Sequence, residues 1–226
     1  NSSAYSPPSE PDTLSTSTSG FNKPPVESTH ELGRRDRKKL ETRAALEHAA
    51  LTLVAERGLA GVTVEDIAEA VDLSSRTFFN YFPSKEDALV GASPASAAEL
   101  RERLQAVPSK VPILEALRLM SRVEAEHVQE QREQWLLRLK VFEQNPSLLP
   151  RLVASGTETE RAISAAVAHR AGVELGTSGY PELATAAAMA AFRVAMIRWS
   201  AAGGRPALAD LVDEAFSQLA AGLPNP

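Results

Sequence analysis

Three helix-entry signals, Thr63, Ser74 and Ser84, crowd into about twenty residues, and no other feature constrains the fold as tightly. Thr63 and Asp66 form the S/T-x-x-D/E pattern of a capping box, and Val64, Ile67, Ala68 and Val71 follow at i, i+3, i+4 and i+7. That helix has room for only about two turns before Asp72, after which Ser74 caps "SRTFFNYF" and Pro83 stops it. Ser84 then opens a helix through Lys85, Ala88 and Leu89. Helices this short cannot offset their nucleation cost with their own hydrogen bonds, so large side chains must clamp them to neighbours. Phe78 and Phe82, spaced i, i+4 in a chain only 5% aromatic, are expected to point into a core beside Leu51, Ile67 and Ala68.

A longer helix precedes these three, with Leu40, Ala44, Leu51, Val54 and Ala55 recurring before Gly58. Its start, "GRRDRKKLETR", is basic. A helix, a short helix, a three- or four-residue turn and a second short helix give the outline of a helix-turn-helix. In the outward first turn of the second short helix stand Ser75, Arg76 and Thr77, where backbone N–H groups favour phosphate and where base edges are read. Arginine pairs bidentately with guanine, and threonine offers its methyl to thymine or its hydroxyl to either partner. Tyr81, flanked by Lys85, can hold backbone phosphates. The same spacing also suits an ordinary helical hairpin with an aromatic core.

The chain of 226 residues is 43% hydrophobic, enough for a sizeable core. It has no cysteine, which excludes disulfides, thiolate catalysis and cysteine-ligated zinc, and makes a reducing cytoplasm the expected compartment. A net charge of -5 argues against a general nucleic-acid binder while leaving room for a small basic face. His30, His48, His127 and His169 lack metal-ligand spacing, and no phosphate loop, nucleophile elbow or dinucleotide fingerprint occurs, so no catalysis, metal or cofactor is expected. Residues 1–33, rich in Ser, Thr and Pro, are expected to be a disordered tail without a secretory signal. The run from Leu183 to Trp199 contains Thr185, Arg193 and Arg198 and reads as a buried helix rather than a membrane span. Further helices are expected over 95–106, 113–129, 131–143, 148–171, 181–202 and 207–221; with no β-alternation, the fold class is all-α.

"TVEDIAEAVDLSSRTFFNYFPSKEDAL", preceded by "AALTLVAERGLAGV", closely resembles the N-terminal DNA-binding domain of TetR-family transcriptional repressors. The resemblance implies a helix-turn-helix domain over 34–90 and a larger helical ligand-binding and dimerisation domain over 91–226. It places Ser75, Arg76 and Thr77 where the family reads bases, and Thr63, Tyr81 and Lys85 where it holds phosphates of double-stranded DNA. Two positions depart from the family: Asp72 replaces a turn glycine, tolerable because Asp enters the left-handed region more readily than most residues, and Phe79 replaces a phosphate-binding tyrosine. Arg34, Arg35, Arg37, Lys38 and Lys39 are expected to compensate as auxiliary DNA contacts.

The resemblance further implies a homodimer and a small-molecule effector. Leu208, Leu211, Val212, Ala215, Phe216 and Leu219 form one apolar stripe, which with the alanine-rich preceding helix would build a two-fold four-helix interface or else close the chain's own core. A dimer would place its recognition helices in successive major grooves about 34 to 36 Å apart on a near-palindromic operator. An effector favouring another separation would release the repressor. The expected pocket is lined by Trp135, Arg138, Leu139 and Phe142 and by Met189, Phe192, Arg193 and Met196. Arg138 there needs either an internal carboxylate such as Glu124 or Glu143, or an anionic ligand with an apolar body. "WLLRLKVFEQNPSLLPRL" with "ELATAAAMAAFRVAMIRW" resembles an actinobacterial subgroup that responds to acyl-coenzyme A thioesters, an amphipathic drug or metabolite being the alternative. A helix-turn-helix protein without an effector, or an all-α interaction protein, remains the alternative reading of the whole.

Overall fold

The computed structural model describes residues 33–91 and 97–223, and the regular elements among them are all helical. Most of the expected N-terminal tail, and the start of the helix expected from residue 95, lie outside the described residues. Helix α1 (Arg34–Arg57) begins six residues before Leu40, so the basic run is itself helical; it ends at Gly58, whose N–H still reaches the Val54 carbonyl and whose φ of 75° then turns the chain out of the helix. Leu46, Ala50, Leu51 and Val54 form its buried stripe, while residues 37–41 are exposed.

Helices α2 (Val64–Glu69), α3 (Ser75–Phe79) and α4 (Lys85–Val90) are as short as their caps demand. Asp72 holds the turn between α2 and α3 with φ of 55°, the left-handed conformation that Asp enters more readily than most residues. There the Leu73 and Asp72 N–H groups bond back to the Ala68 and Glu69 carbonyls, satisfying the end of α2. Phe78 and Phe82 are fully buried, their ring centroids 5.6 Å apart, in one core with Leu46, Leu51, Ile67 and Ala68.

Beyond residue 96 lie α5 (Ala97–Ala106), α6 (Ile113–Glu130), α7 (Arg132–Gln144), α8 (Leu149–Ala171), α9 (Tyr180–Ala201) and α10 (Leu208–Ala220). A second core joins Leu104, Leu117, Val128, Val167, Trp199 and Phe216. Alanines at 188, 191 and 195 let α9 approach its neighbours closely. The Trp199 indole N–H donates to Gln129 Oε1 at 2.9 Å, and the same oxygen accepts the Leu208 N–H at 3.2 Å, supplying a cap that α10 lacks from its own sequence. Arg170 donates to the carbonyls of Leu104, Val107, Pro108 and Val111, pinning the α5–α6 connection to α8.

Two expectations change here. The stripe on α10 closes the chain's own core: Leu208, Val212 and Phe216 are buried in it, with the half-buried Leu211 and Leu219 packed against it. Apolar residues are left outward on α9, where Leu183 is 70% and Ile197 60% exposed with Val194 between them, as well as at Val123 on α6 and Val153 on α8. Second, the N-terminal core is not confined to 34–90: Val141 and Leu148 are buried in it, and Leu137 and Phe142 pack on it. Among the described residues no helix is long and apolar enough to cross a membrane.

Candidate nucleic-acid interface

The outer surface of α2 and α3 is organised by its caps. Ser74 Oγ accepts the Thr77 N–H at 3.2 Å and lies 2.9 Å from the Thr77 hydroxyl, which orients Thr77. The Ser75 hydroxyl donates to Glu65 Oε1 at 3.3 Å, linking the first turn of α3 to α2. Arg76 is exposed between them and makes no ion pair among the described residues. The structure therefore brings Ser75, Arg76 and Thr77 together on one turn, with Arg76 outermost. Phe79, where the family has tyrosine, is 55% exposed and meets Phe78 edge-on.

Thr63 and Lys85 sit nearby but are already engaged. Thr63 Oγ1 accepts the Asp66 N–H at 3.1 Å and donates to Asp66 Oδ2 at 2.6 Å, while its own N–H donates to that oxygen at 2.7 Å, a complete capping box. These hydrogen bonds from Thr63 hold the Asp66 carboxyl below the usual carboxylate range. Thr63→Ala is expected to cost about 0.5–2 kcal/mol, the usual range for a lost N-cap, and urea denaturation of both chains will read it. Lys85 Nζ donates to the carbonyls of Leu59 and Val62, both at 2.7 Å, and so ties α4 to the turn before α2. Tyr81 is half-buried on the first core, and its carbonyl accepts Arg43 Nη1 at 3.2 Å. Arg34, Arg35, Arg37, Lys38 and Lys39 are all exposed on the leading end of α1.

The eight residues expected to line a pocket are spread over both cores and the surface. Trp135, Phe192 and Met196 pack on the second core, Leu139 and Met189 are half-buried, Phe142 packs on the first core, and Arg193 is exposed. Arg138, 3% exposed, is paired with Glu47 rather than with Glu124 or Glu143, both of which are exposed. Sequence reasoning missed Glu47 and the role of Arg43 beside it. The available signal was a glutamate inside the stripe of Leu46, Ala49 and Ala50, four residues after an arginine.

A capped two-helix turn that presents one free arginine, carried in front of a larger helical unit, defines a helix-turn-helix DNA-binding regulator. Residues 46–92 match bacterial regulatory proteins of the tetR family, and residues 111–224 match the MftR C-terminal domain of that family. The chain belongs to the TetR family and is a DNA-binding transcriptional regulator. It is 33% identical over 177 residues to the HTH-type transcriptional regulator TcmR of Streptomyces glaucescens, covering 74% of this chain and 76% of that one. In fold it is similar to FadR of Bacillus subtilis in complex with stearoyl-CoA (TM-score 0.55, 16% identity, 80% and 99% of the two chains). It is also similar to FadR of Thermus thermophilus in complex with lauroyl-CoA (TM-score 0.50, 23% identity, 81% and 96%).

Proposed function

We propose that this regulator is a cytoplasmic homodimeric repressor, released from a near-palindromic operator by an anionic, amphipathic effector. In this reading residues 34–90 bind DNA, and residues 91–226 bind the effector and dimerise. The observation that carries it is Arg76, exposed without an ion pair among the described residues on the first turn of a capped α3. Arg76 reads a guanine edge, with Ser75 and Thr77 beside it. Tyr81, Thr63 and the remaining N–H of Lys85 meet phosphates, and the basic start of α1 adds contacts from Arg34 to Lys39.

A second copy packs on the outward face of α9, where Leu183, Val194 and Ile197 are exposed among alanines. An effector is supported by the Thr185 hydroxyl, fully buried on α9 with no hydrogen-bond partner among the described residues. An unpartnered buried hydroxyl costs free energy that a ligand's polar group would return. The acyl-CoA complexes of the similar folds support an acyl thioester as the effector's class.

The test is fluorescence anisotropy with the DNA immediately upstream of the protein's own gene, alongside a scrambled duplex. Specific binding is expected to exceed the scrambled control by at least about a thousandfold. Arg76→Ala is expected to weaken it by about 1–3 kcal/mol, or about 5- to 150-fold, for each of the two half-sites, at unchanged thermal stability. Equal affinity of both chains for the operator would sink the role given to Arg76.

A further inference from the structure

An effector can act on DNA only through a physical connection to α3, and the seam between α1, α4 and α7 contains one. Arg138 on α7 donates from Nη2 to Glu47 Oε2 at 2.9 Å and from Nε to the Leu89 carbonyl at 3.1 Å. The other oxygen of Glu47 lies 3.2 Å from Arg43 Nε. Arg43 covers the Phe82 ring at 4.2 Å and donates to the carbonyls of Tyr81 at 3.2 Å and Gly91 at 3.4 Å. Charged side chains thus run unbroken from α7 to the turn that follows α3 and to the residue closing α4. Gly91 has a φ of 94°, and a Cβ there would stand 2.5 Å from Arg138 Cζ, so only glycine leaves room for the guanidinium.

The surroundings make these charges costly. Leu46, Ala50, Val141 and Leu148 are buried in the same core, and burial holds Glu47 above and Arg138 below their ordinary ranges despite their mutual attraction. Apolar residues in their place would be as stabilising or more so, which leaves register as the best-attested use of such a pair. Apolar faces slide past one another with little change in energy, whereas a hydrogen-bonded ion pair is either formed or broken. The pair also reaches the second core: the Trp135 ring, one turn earlier on α7, lies 4.8 Å from the Arg138 guanidinium carbon and packs on that core. A change of shape there displaces Trp135 and with it the seat of Arg138.

We infer that Glu47 and Arg138, with Arg43, form a latch through which α7 sets the orientation of α3 relative to the effector unit. They are positioning residues for DNA recognition, and the inference rests on the proposed reading in that the operator senses this orientation. The chain has no cysteine, so spin labels can be attached at Asn80→Cys and Lys140→Cys, both exposed positions. Double electron–electron resonance on full-length protein, diluted with excess unlabelled chain, then reads one distance across the seam. The latched chain is expected to give a single narrow distribution. Glu47→Leu/Arg138→Met, which replaces the ion pair by apolar volume, is expected to shift that distribution or at least double its width. Should that variant fail to fold, Glu47→Gln keeps shape and one acceptor oxygen while removing the charge, and is read the same way. An unchanged distribution in a folded variant overturns the latch. Failure of Arg76→Ala to alter operator binding would concern only the outer face of α3 and leave this distance as it is, so the two readings fail separately.

Discussion

Replacing Phe78 by alanine is expected to destabilise the DNA-binding unit by about 3–5 kcal/mol, the range for truncating a buried phenylalanine, and to lower with it the temperature at which operator binding is lost. Helix α3 has five residues and no independent stability, so its position depends on this ring. Phe78 is fully buried, meets Phe82 at 5.6 Å and Phe79 at 5.7 Å, and its loss opens a cavity between α1, α2 and α3. Whole domains retain only about 5–15 kcal/mol, so the remaining unit would be marginal. Phe79→Ala is the control, because a ring 55% exposed holds little of the core; its expected cost is below about 1 kcal/mol. Chemical denaturation followed by circular dichroism compares the two. Equal stabilities for the two variants would refute the clamping role assigned to Phe78.

What was legible in the sequence depended on how local its cause is. Thr63, Ser74 and Ser84 cap their helices because a cap is decided within four residues, and Asp72 takes its left-handed turn for the same reason. The burial of Phe78 and Phe82 followed from spacing alone. Periodicity also found the stripe from Leu208 to Leu219, but it gives the width of an apolar face and not what meets that face. The stripe lies against α6 and α9 of its own chain. Arg138 was seen as an arginine needing a partner, yet that partner, Glu47, stands 91 residues away across the seam. No spacing rule reaches that far. Lys85 shows a smaller version of the same limit: residue type suggests a phosphate, while the carbonyls of Leu59 and Val62 that hold it are backbone groups of a turn no composition reveals.

Replacing Trp199 by alanine is expected to cost the effector unit about 3–5 kcal/mol, and the loss should spread where that of Phe78 does not. Trp199 is fully buried, and its removal takes from Gln129 one of the two donors that fix α6, α9 and the start of α10. The two cores depend on each other unequally. Among the described residues the second is lined by residues from Leu104 onward, whereas the first needs Val141 and Leu148, which α7 and the residues after it hold in place. When the effector unit melts, the DNA-binding core loses a wall. When the DNA-binding unit melts, the effector core keeps its own. Both tryptophans, Trp135 and Trp199, pack in the effector unit, so the main fluorescence transition follows that unit, while Trp135 also borders the seam through Arg138. In Phe78→Ala, loss of operator binding on heating is therefore expected well below the fluorescence transition. In Trp199→Ala, the surviving Trp135 signal and operator binding should be lost together, at a lower temperature than in the parent chain. Coincident transitions in Phe78→Ala would mean that the two cores unfold as one, and the asymmetry drawn from their lining residues would be wrong.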